Sequence, residues 1–446
     1  MPEIDELNAA INERLIPEVK AALKAAEAAA LPVRAWPPDW ESTKRIDYLY
    51  RSGSLLTRDA DAPRVARALQ DIAAGPSAAK QTRGAEVTAD QGTSPIKGVT
   101  RFETPVSTSW HTYDAVAALE DRLGVGVVSH EHVFAITWVH CPATEPEPVL
   151  TPQQADDPEL VNRVLWPPAG DPTAGHGVRV SVVDTGLLRG VAGWAPWLAG
   201  VTADSREDLE DPDTFNVDEH VSLPDGFADL YAGHGSFIAG VIRCVAPNTE
   251  VVVERLIGTS GFVGETDMIQ QIHQGLSRSP DIINLSAGGY TRNDVPPIGL
   301  QALWNDRLSQ QGGVVLVAAA GNNTSSRPFW PAAFDWCVGV GSMSRDGQRR
   351  SWFSNFGSWL DVYAPGEDIV NAYPQLKYKT VAHRRERDTS AGIVKWSGTS
   401  FATPIVVGLI AARMSRTGES GRLAAQAALS AARSQFRPGI GPRLFP

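Results

Sequence analysis

An aspartate, a histidine and a serine stand in three Gly-flanked turns of this chain: Val182-Val183-Asp184-Thr185-Gly186, His234-Gly235-Ser236-Phe237-Ile238-Ala239-Gly240 and Gly398-Thr399-Ser400-Phe401-Ala402-Thr403-Pro404. A serine hydroxyl alone is a weak nucleophile. It becomes a strong one when a neutral imidazole takes its proton and a carboxylate fixes that imidazole's tautomer and stabilises its cation. Asp184, His234 and Ser400 supply those parts, and together they would perform acyl transfer through a covalent intermediate. Taken singly, each segment also reads as ordinary structure: a turn after a strand, a helix entrance and a helix N-cap.

Two further segments lie between His234 and Ser400: Asp281-Ile282-Ile283-Asn284-Leu285-Ser286-Ala287-Gly288-Gly289, and Val314 to Ala320 followed by Gly321-Asn322. With the order Asp, His, Ser, which is that of subtilisin and not of chymotrypsin or the α/β-hydrolases, the five segments make residues 178–408 resemble the subtilases, the subtilisin-like serine peptidases. The resemblance implies a serine endopeptidase acting on protein or peptide substrates with no metal or organic cofactor in the chemistry. It assigns Asp184, His234 and Ser400 to catalysis and the Asn322 side-chain amide to the oxyanion hole. Ser286, Ala287 and Gly288 become an edge that pairs with an extended peptide, with Ala319 and Gly321 lining the same cleft. Trp330-Pro331-Ala332 matches the segment that follows the floor of the family's primary specificity pocket. Phe329 then stands where a small residue is usual, so small side chains are expected before the scissile bond. The other outcome is that the short loop Asn323–Pro328 turns Phe329 into the core. The competing function is a catalytically retired scaffold or peptide-binding module on the same fold. All four chemical positions hold competent residues, which favours an enzyme, and no Gly-x-Ser-x-Gly elbow surrounds Ser400 to favour an esterase.

The elements that must position these residues are legible as short apolar runs. Val178–Val183, Val251–Leu256, Ile282–Leu285 and Val314–Ala318 read as strands of a parallel sheet buried on both faces, with helices at Asp267–Ser277 and Ser400–Met414. The expected fold is α/β, a subtilisin-like parallel sheet with helices on both faces, and Asp184 and Asn322 follow strands directly. A smaller α+β domain is expected before it. Arg45–Thr57, Ile96–Glu103 and Val133–Trp138 read as strands, and Ala62–Ala73 and Thr112–Leu123 as helices, in the order of a ferredoxin-like fold. Residues 115–133 resemble the end of the subtilase inhibitor-type propeptide, which implies that this domain is an intramolecular inhibitor. The expected division is 1–43, a helical extension carrying Ile4, Leu7, Ile11, Leu15, Val19 and Leu23 at helical spacing; 44–140, the propeptide-like domain; 141–158, a Pro-rich acidic linker; and 159–446, the catalytic domain. Gly75–Pro95 reads as a disordered loop.

Departures from the family pattern bear on metals. Only five residues separate Gly240 from Ala246-Pro247, where many members insert a calcium-binding loop, and Gly193 stands where an acidic partner of that site is usual. Calcium is not expected there and stays open elsewhere. Between Asp204 and Asp229 ten carboxylates face the single Arg206, without regular ligand spacing, and read as a solvated acidic loop. The basic insertion Lys377–Asp388, with His383 inside it, reads as solvated too. The net charge of −11 gives no support to a nucleic-acid partner. No apolar run reaches the ~18 residues of a membrane span, and Met1–Leu15 lacks the pattern of a secretory signal, so a cytoplasmic location is expected. Three cysteines, Cys141, Cys244 and Cys337, fit reduced thiols more than a disulfide framework.

Overall fold

The computed structural model describes residues 19–446 except 28, 44, 75–91, 105–111, 137–144, 206–208, 211–230, 259 and 380–385. The smaller domain is built on β2 (Tyr48–Arg58), an eleven-residue strand flanked on one edge by β4 (Val99–Glu103) and on the other by β5 (Val128–Ala135). Its two helices, α1 (Ala62–Ala74) and α2 (Thr112–Leu123), bury Val65 and Leu69 against Val116 and Leu119 beneath Leu55 and Phe102. This is the β-α-β-α-β order expected, with three differences: the last strand, expected over Val133–Trp138, runs from Val128 to Ala135, and positions 137 and 138 lie outside the described residues. The single strand expected over Ile96–Glu103 is a hairpin of β3 (Thr93–Ile96) and β4, because Gly98 takes a φ of +91° and reverses the chain. Residues 33–36, assigned from sequence to a helical extension, form β1 (Val33–Trp36), antiparallel to β2. Helical residues Val19 and Ala22 share an apolar cluster with β1, Leu49 and Tyr50. Of the amphipathic pattern from Ile4 to Leu23, positions 4–15 lie outside the described residues.

The stretch 141–158 is not without structure where described. Glu147–Pro148 form β6, and Pro152–Ala155 form α3, a short helix whose Thr151 and Gln154 complete a capping box. Helix α4 (Pro158–Val164) follows at once, capped by Asp157.

The larger domain is a seven-stranded parallel sheet. Its centre is β7 (Arg179–Asp184), paired with β8 (Glu250–Arg255) on one side and with β10 (Ile282–Leu285) on the other. Beyond β10 come β11 (Val315–Ala319), β12 (Cys337–Met343) and β13 (Val362–Pro365) in order. Alternation along each strand feeds two cores. Val180 and Val182 face helix α5 (His234–Val245) and helix α8 (Thr399–Thr417), meeting Phe237, Ile238 and Ile405. Val183, Ile283 and Leu285 face helices α6 (Glu265–Gly275) and α7 (Ile298–Leu303), meeting Met268, Ile269 and Leu300. Each such fully buried side chain contributes ~1.5–3 kcal/mol relative to exposure. Sheet and helices therefore confirm the expected α/β fold. Strands β12 and β13 extend it past the strands expected, and Cys337 is a core residue of β12.

The two domains share a sheet. Strand β9 (Phe262–Gly264), which lies between β8 and α6, pairs antiparallel with β5 of the smaller domain. At their junction Glu131 is fully buried; it accepts a hydrogen bond from Ser54 Oγ at 2.5 Å and another from the Thr266 hydroxyl, and Arg51 stands 3.6 Å away. The basic insertion forms a small hairpin, Lys377–Lys379 against Glu386–Asp388, in which Lys377 pairs with Asp388 at 3.1 Å. His383 and most of the acidic stretch fall outside the described residues; Asp204 is paired with Arg278. Among the described residues no helix is long and apolar enough to cross a membrane.

Candidate active site

Asp184 ends β7, His234 opens α5 and Ser400 is the second residue of α8, so strand end and helix starts meet at one edge of the sheet. His234 Nδ1 lies 2.8 Å from Asp184 Oδ1 with both side chains fully buried. An ionised carboxylate can only accept, so Nδ1 carries a proton towards it, and in the neutral ring Nε2 is the nitrogen with the lone pair. The same Asp184 oxygen accepts from the Thr185 N–H at 2.8 Å, which fixes the carboxylate against rotation. Gly235 lets α5 approach this turn: a Cβ there would come within 2.6 Å of the Gly186 carbonyl. The imidazole is wedged against the rings of Trp396 and Phe401, at 5.7 and 5.4 Å between centroids, and Phe401 is the neighbour of Ser400.

Ser400 is anchored by a backbone defect in its own helix. Pro404 sits four residues on, inside α8, and cannot donate to the Ser400 carbonyl. Ser286 Oγ donates to that carbonyl instead, at 3.0 Å, and is itself held by Asn284 Nδ2 at 3.1 Å. Ser400 Oγ in turn lies 3.5 Å from the Ser286 carbonyl oxygen. The expected substrate edge and the nucleophile are thus tied together through Ser286.

Asn322 follows β11 and is buried. Its Oδ1 accepts from the Thr399 N–H at 2.9 Å and from the Thr399 hydroxyl at 2.8 Å. With the oxygen end so committed, the amide presents its N–H groups on the other side, and Nδ2 is 3.5 Å from a Cβ placed on Gly398. That is beside the first turn of α8, where backbone N–H groups have no acceptor within the helix and the helix dipole favours negative charge. Thr399 also accepts from the Gly321 N–H at 3.2 Å, fastening the segment after Ala319 to the start of α8.

Gly288 is already paired. Its N–H donates to the Ala135 carbonyl at 2.8 Å, and the Ala135 N–H donates back at 2.9 Å, forming an antiparallel bridge. On its other edge the same segment of chain meets β9, and the Ile136 N–H donates to the Gly261 carbonyl at 3.1 Å. The end of β5 therefore occupies a slot with two strand edges. Ala287 forms a buried floor beside it. Phe329 is fully buried, and its ring spans the gap between two segments: Cε1 lies 2.3 Å from a Cβ placed on Gly288, and Cδ2 3.1 Å from one placed on Gly321. Tyr290 packs edge-on against it at 5.2 Å.

Sequence reasoning missed β9, the roles of Ser286 Oγ and Thr399, and the buried group Glu131, His130, His132 and Glu265 where the domains meet. His132 Nε2 accepts from the Arg292 N–H at 3.2 Å, and Glu265 Oε1 accepts from the Gly299 N–H at 2.6 Å at the start of α7. No spacing rule marks these residues; alternation along Ser129–His132 only says that half of them are buried.

Where many members insert a loop, α5 runs unbroken from His234 to Val245. Among the described residues no group of three or more His, Cys, Asp or Glu could hold a metal. Cys244 and Cys337 are both free and buried, and burial pushes the Cys244 thiol up to about 12, which leaves it protonated.

Comparison with known proteins bears on the family and the fold. A thermophilic serine proteinase from Bacillus sp. (strain AK1) is 31% identical over 245 residues, 54% of this chain and 54% of that protein. Thermitase from Thermoactinomyces vulgaris is 30% identical over 248 residues, 55% of this chain and 78% of thermitase. The structure of fervidolysin from Fervidobacterium pennivorans, a keratinolytic enzyme related to subtilisin, is 18% identical with a TM-score of 0.55; the match covers 89% of this chain and 60% of that one, and shows likeness of fold. The family model of the subtilase family matches residues 175–435, more than half of the sequence, and the chain accordingly belongs to the subtilase family of subtilisin-like serine peptidases.

Proposed function

We propose that this chain is a serine endopeptidase whose N-terminal domain restrains it by occupying the substrate slot. The observation that carries the catalytic part is the 2.8 Å contact between His234 Nδ1 and Asp184 Oδ1, made beside the start of the helix that bears Ser400. Ser400 Oγ attacks the scissile carbonyl carbon while His234 Nε2 takes its proton, and Asp184 holds the resulting imidazolium. The oxyanion accepts from Asn322 Nδ2 and from the Ser400 N–H. His234 then protonates the leaving amine, and the acyl ester on Ser400 is hydrolysed by a water that His234 deprotonates.

The pairing of Ala135 with Gly288 supports the restraint. A peptide substrate binding by β-addition needs the backbone groups of Gly288, and Ala135 already holds them. An unfolded protein substrate tests the reading. Hydrolysis is expected from the wild type, rising after a lag as the N-terminal domain is released, and is expected to vanish in Ser400→Ala. Wild-type hydrolysis by Ser400→Ala, or none by either, would mean a retired scaffold or a contaminant.

A further inference from the structure

We infer that residues 145–166 are a strap that positions the nucleophile and its base, so that the catalytic unit begins at Glu145 and Leu150 is a positioning residue of the site. This rests on the peptidase reading above and extends it to a segment that reads in the sequence mostly as linker.

The strap encloses a two-stranded ribbon that leads into the site. Strands β14 (Ile369–Ala372) and β15 (Ile393–Trp396) are antiparallel, with Val370 opposite Lys395. On the other edge of β15, Glu147 and Pro148 of β6 pair with Lys395 and Val394. Trp166 pairs with Val370, and the two exchange backbone hydrogen bonds at 3.1 Å each. Because the N–H and C=O of one residue point to the same edge of a strand, Trp166 takes the edge of β14 that faces away from β15. One continuous segment thus closes both edges of the ribbon. Between its ends Leu150, Val161 and Leu165 are buried against Val370 and Ile393. Ion pairs line the same seam: Glu147 lies 3.0 Å from Lys395, and Glu145 3.6 Å from Arg387.

The opposite face of the ribbon carries the site. Side chains alternate along β15, so Ile393 meets the strap while Val394 and Trp396 enter the main core. There the Trp396 ring stands edge-on to His234 at 5.7 Å and lies 5.1 Å from Phe401, the neighbour of Ser400. Ser397 and Gly398, which join β15 to α8, are tied to the turn before β14: the Asp368 N–H donates to Ser397 Oγ at 2.9 Å, and the Gly398 N–H to the Gly366 carbonyl at 2.8 Å. The ribbon therefore sets His234 through Trp396 and Ser400 through residues 397 and 398. A strap that yields on the outer face lets both move together.

The test uses the full-length chain after release of its N-terminal domain, with kcat expressed per active site titrated to completion by a fluorophosphonate, so that loss of folded enzyme does not count. Leu150→Ala should lower kcat per site by about 10-fold or more, since a misplacement of about 1 Å at a reacting centre can cost about 10²-fold. KM should stay within about 2-fold, because substrate contacts are untouched. Leu150→Met, which refills the space, should return kcat to within about 2-fold of the wild type. Val161→Ala removes less and should act in the same direction; it decides the matter if Leu150→Ala does not fold. Native mass spectrometry should find residues 145–166 in every labelled form. A loss confined to the number of titrated sites, with kcat per site unchanged, overturns the inference and leaves the peptidase reading standing. So does labelled enzyme that lacks residues 145–150 and turns over at the wild-type rate. No hydrolysis by the wild type overturns both.

Discussion

Acidification should loosen the N-terminal domain through one histidine. His130 is completely buried, and neither ring nitrogen has a hydrogen-bond partner among the described residues. Around it stand Tyr50, Tyr48 and Tyr113, with ring centroids at 4.5, 5.6 and 6.2 Å, and His132 at 6.1 Å. Burial first, then the neighbouring His132 and Arg292, hold its pKa well below the ordinary 6.5. The imidazole is therefore neutral in the folded protein and takes up a proton near pH 6.5 only when the domain unfolds. Below that pH the unfolded chain binds more protons, so stability falls as pH falls. At pH 5.5 the loss is about 1.4 kcal/mol, and each further unit adds about as much until the folded-state pKa is reached. Asp267 and Asp361 work the other way. Burial raises both carboxyls, Asp361 to about 6, so the folded state gains protons first and is stabilised on acidification. Comparing His130 with a phenyl ring in its place removes these common effects. Thermal unfolding of Ser400→Ala and of Ser400→Ala with His130→Phe, each at pH 7.5 and 5.5, measures the difference. The His130 chain should lose about 1.4 kcal/mol more than the Phe variant. Equal losses within about 0.5 kcal/mol would refute the argument.

Ser400→Ala should abolish hydrolysis while leaving the melting temperature nearly unchanged, as followed by activity and calorimetry. Asn322→Ala should lower kcat by about 10²–10³, the magnitude general to loss of an oxyanion-hole donor in subtilisin-like enzymes; loss of Ser286 Oγ in Ser286→Ala should cost about 1–3 kcal/mol of stability, because the Ser400 carbonyl, passed over by Pro404, then has no donor from that side. A chelator should shift the melting temperature little, since the unbroken α5 leaves no room for the usual loop, and a fall of more than about 10 °C would reveal a bound ion worth several kcal/mol.

The candidate catalytic residues, which the structure brings together at the end of β7 and the starts of α5 and α8, were legible because each sits in a short Gly-flanked turn whose residue types the proposed chemistry dictates. The parallel sheet was legible because its strands are buried on both faces and read as unbroken β-branched runs. What was hidden is long-range. Strand β9 is three residues long and becomes a strand only against β5, well over a hundred positions earlier, so no local period announces it. The four residues of β1 are likewise strand by pairing with β2. Phe329 could not be assigned from sequence because its direction depends on a loop; packing between Gly288 and Gly321 settles where the ring lies. In the polar run Ser129–His132 nothing local announces that His130, Glu131 and His132 are buried: tyrosines of the smaller domain surround His130, and Thr266 and Arg292 of the larger domain bond to Glu131 and His132.

The most direct test of the central claim is covalent. After release of the N-terminal domain, a fluorophosphonate should form one adduct, mapped by peptide mass to Ser400, and His234→Ala should suppress it strongly without unfolding the chain. Labelling at another residue, or equal labelling of the wild type and His234→Ala, would contradict a nucleophile at Ser400 activated by His234 and Asp184.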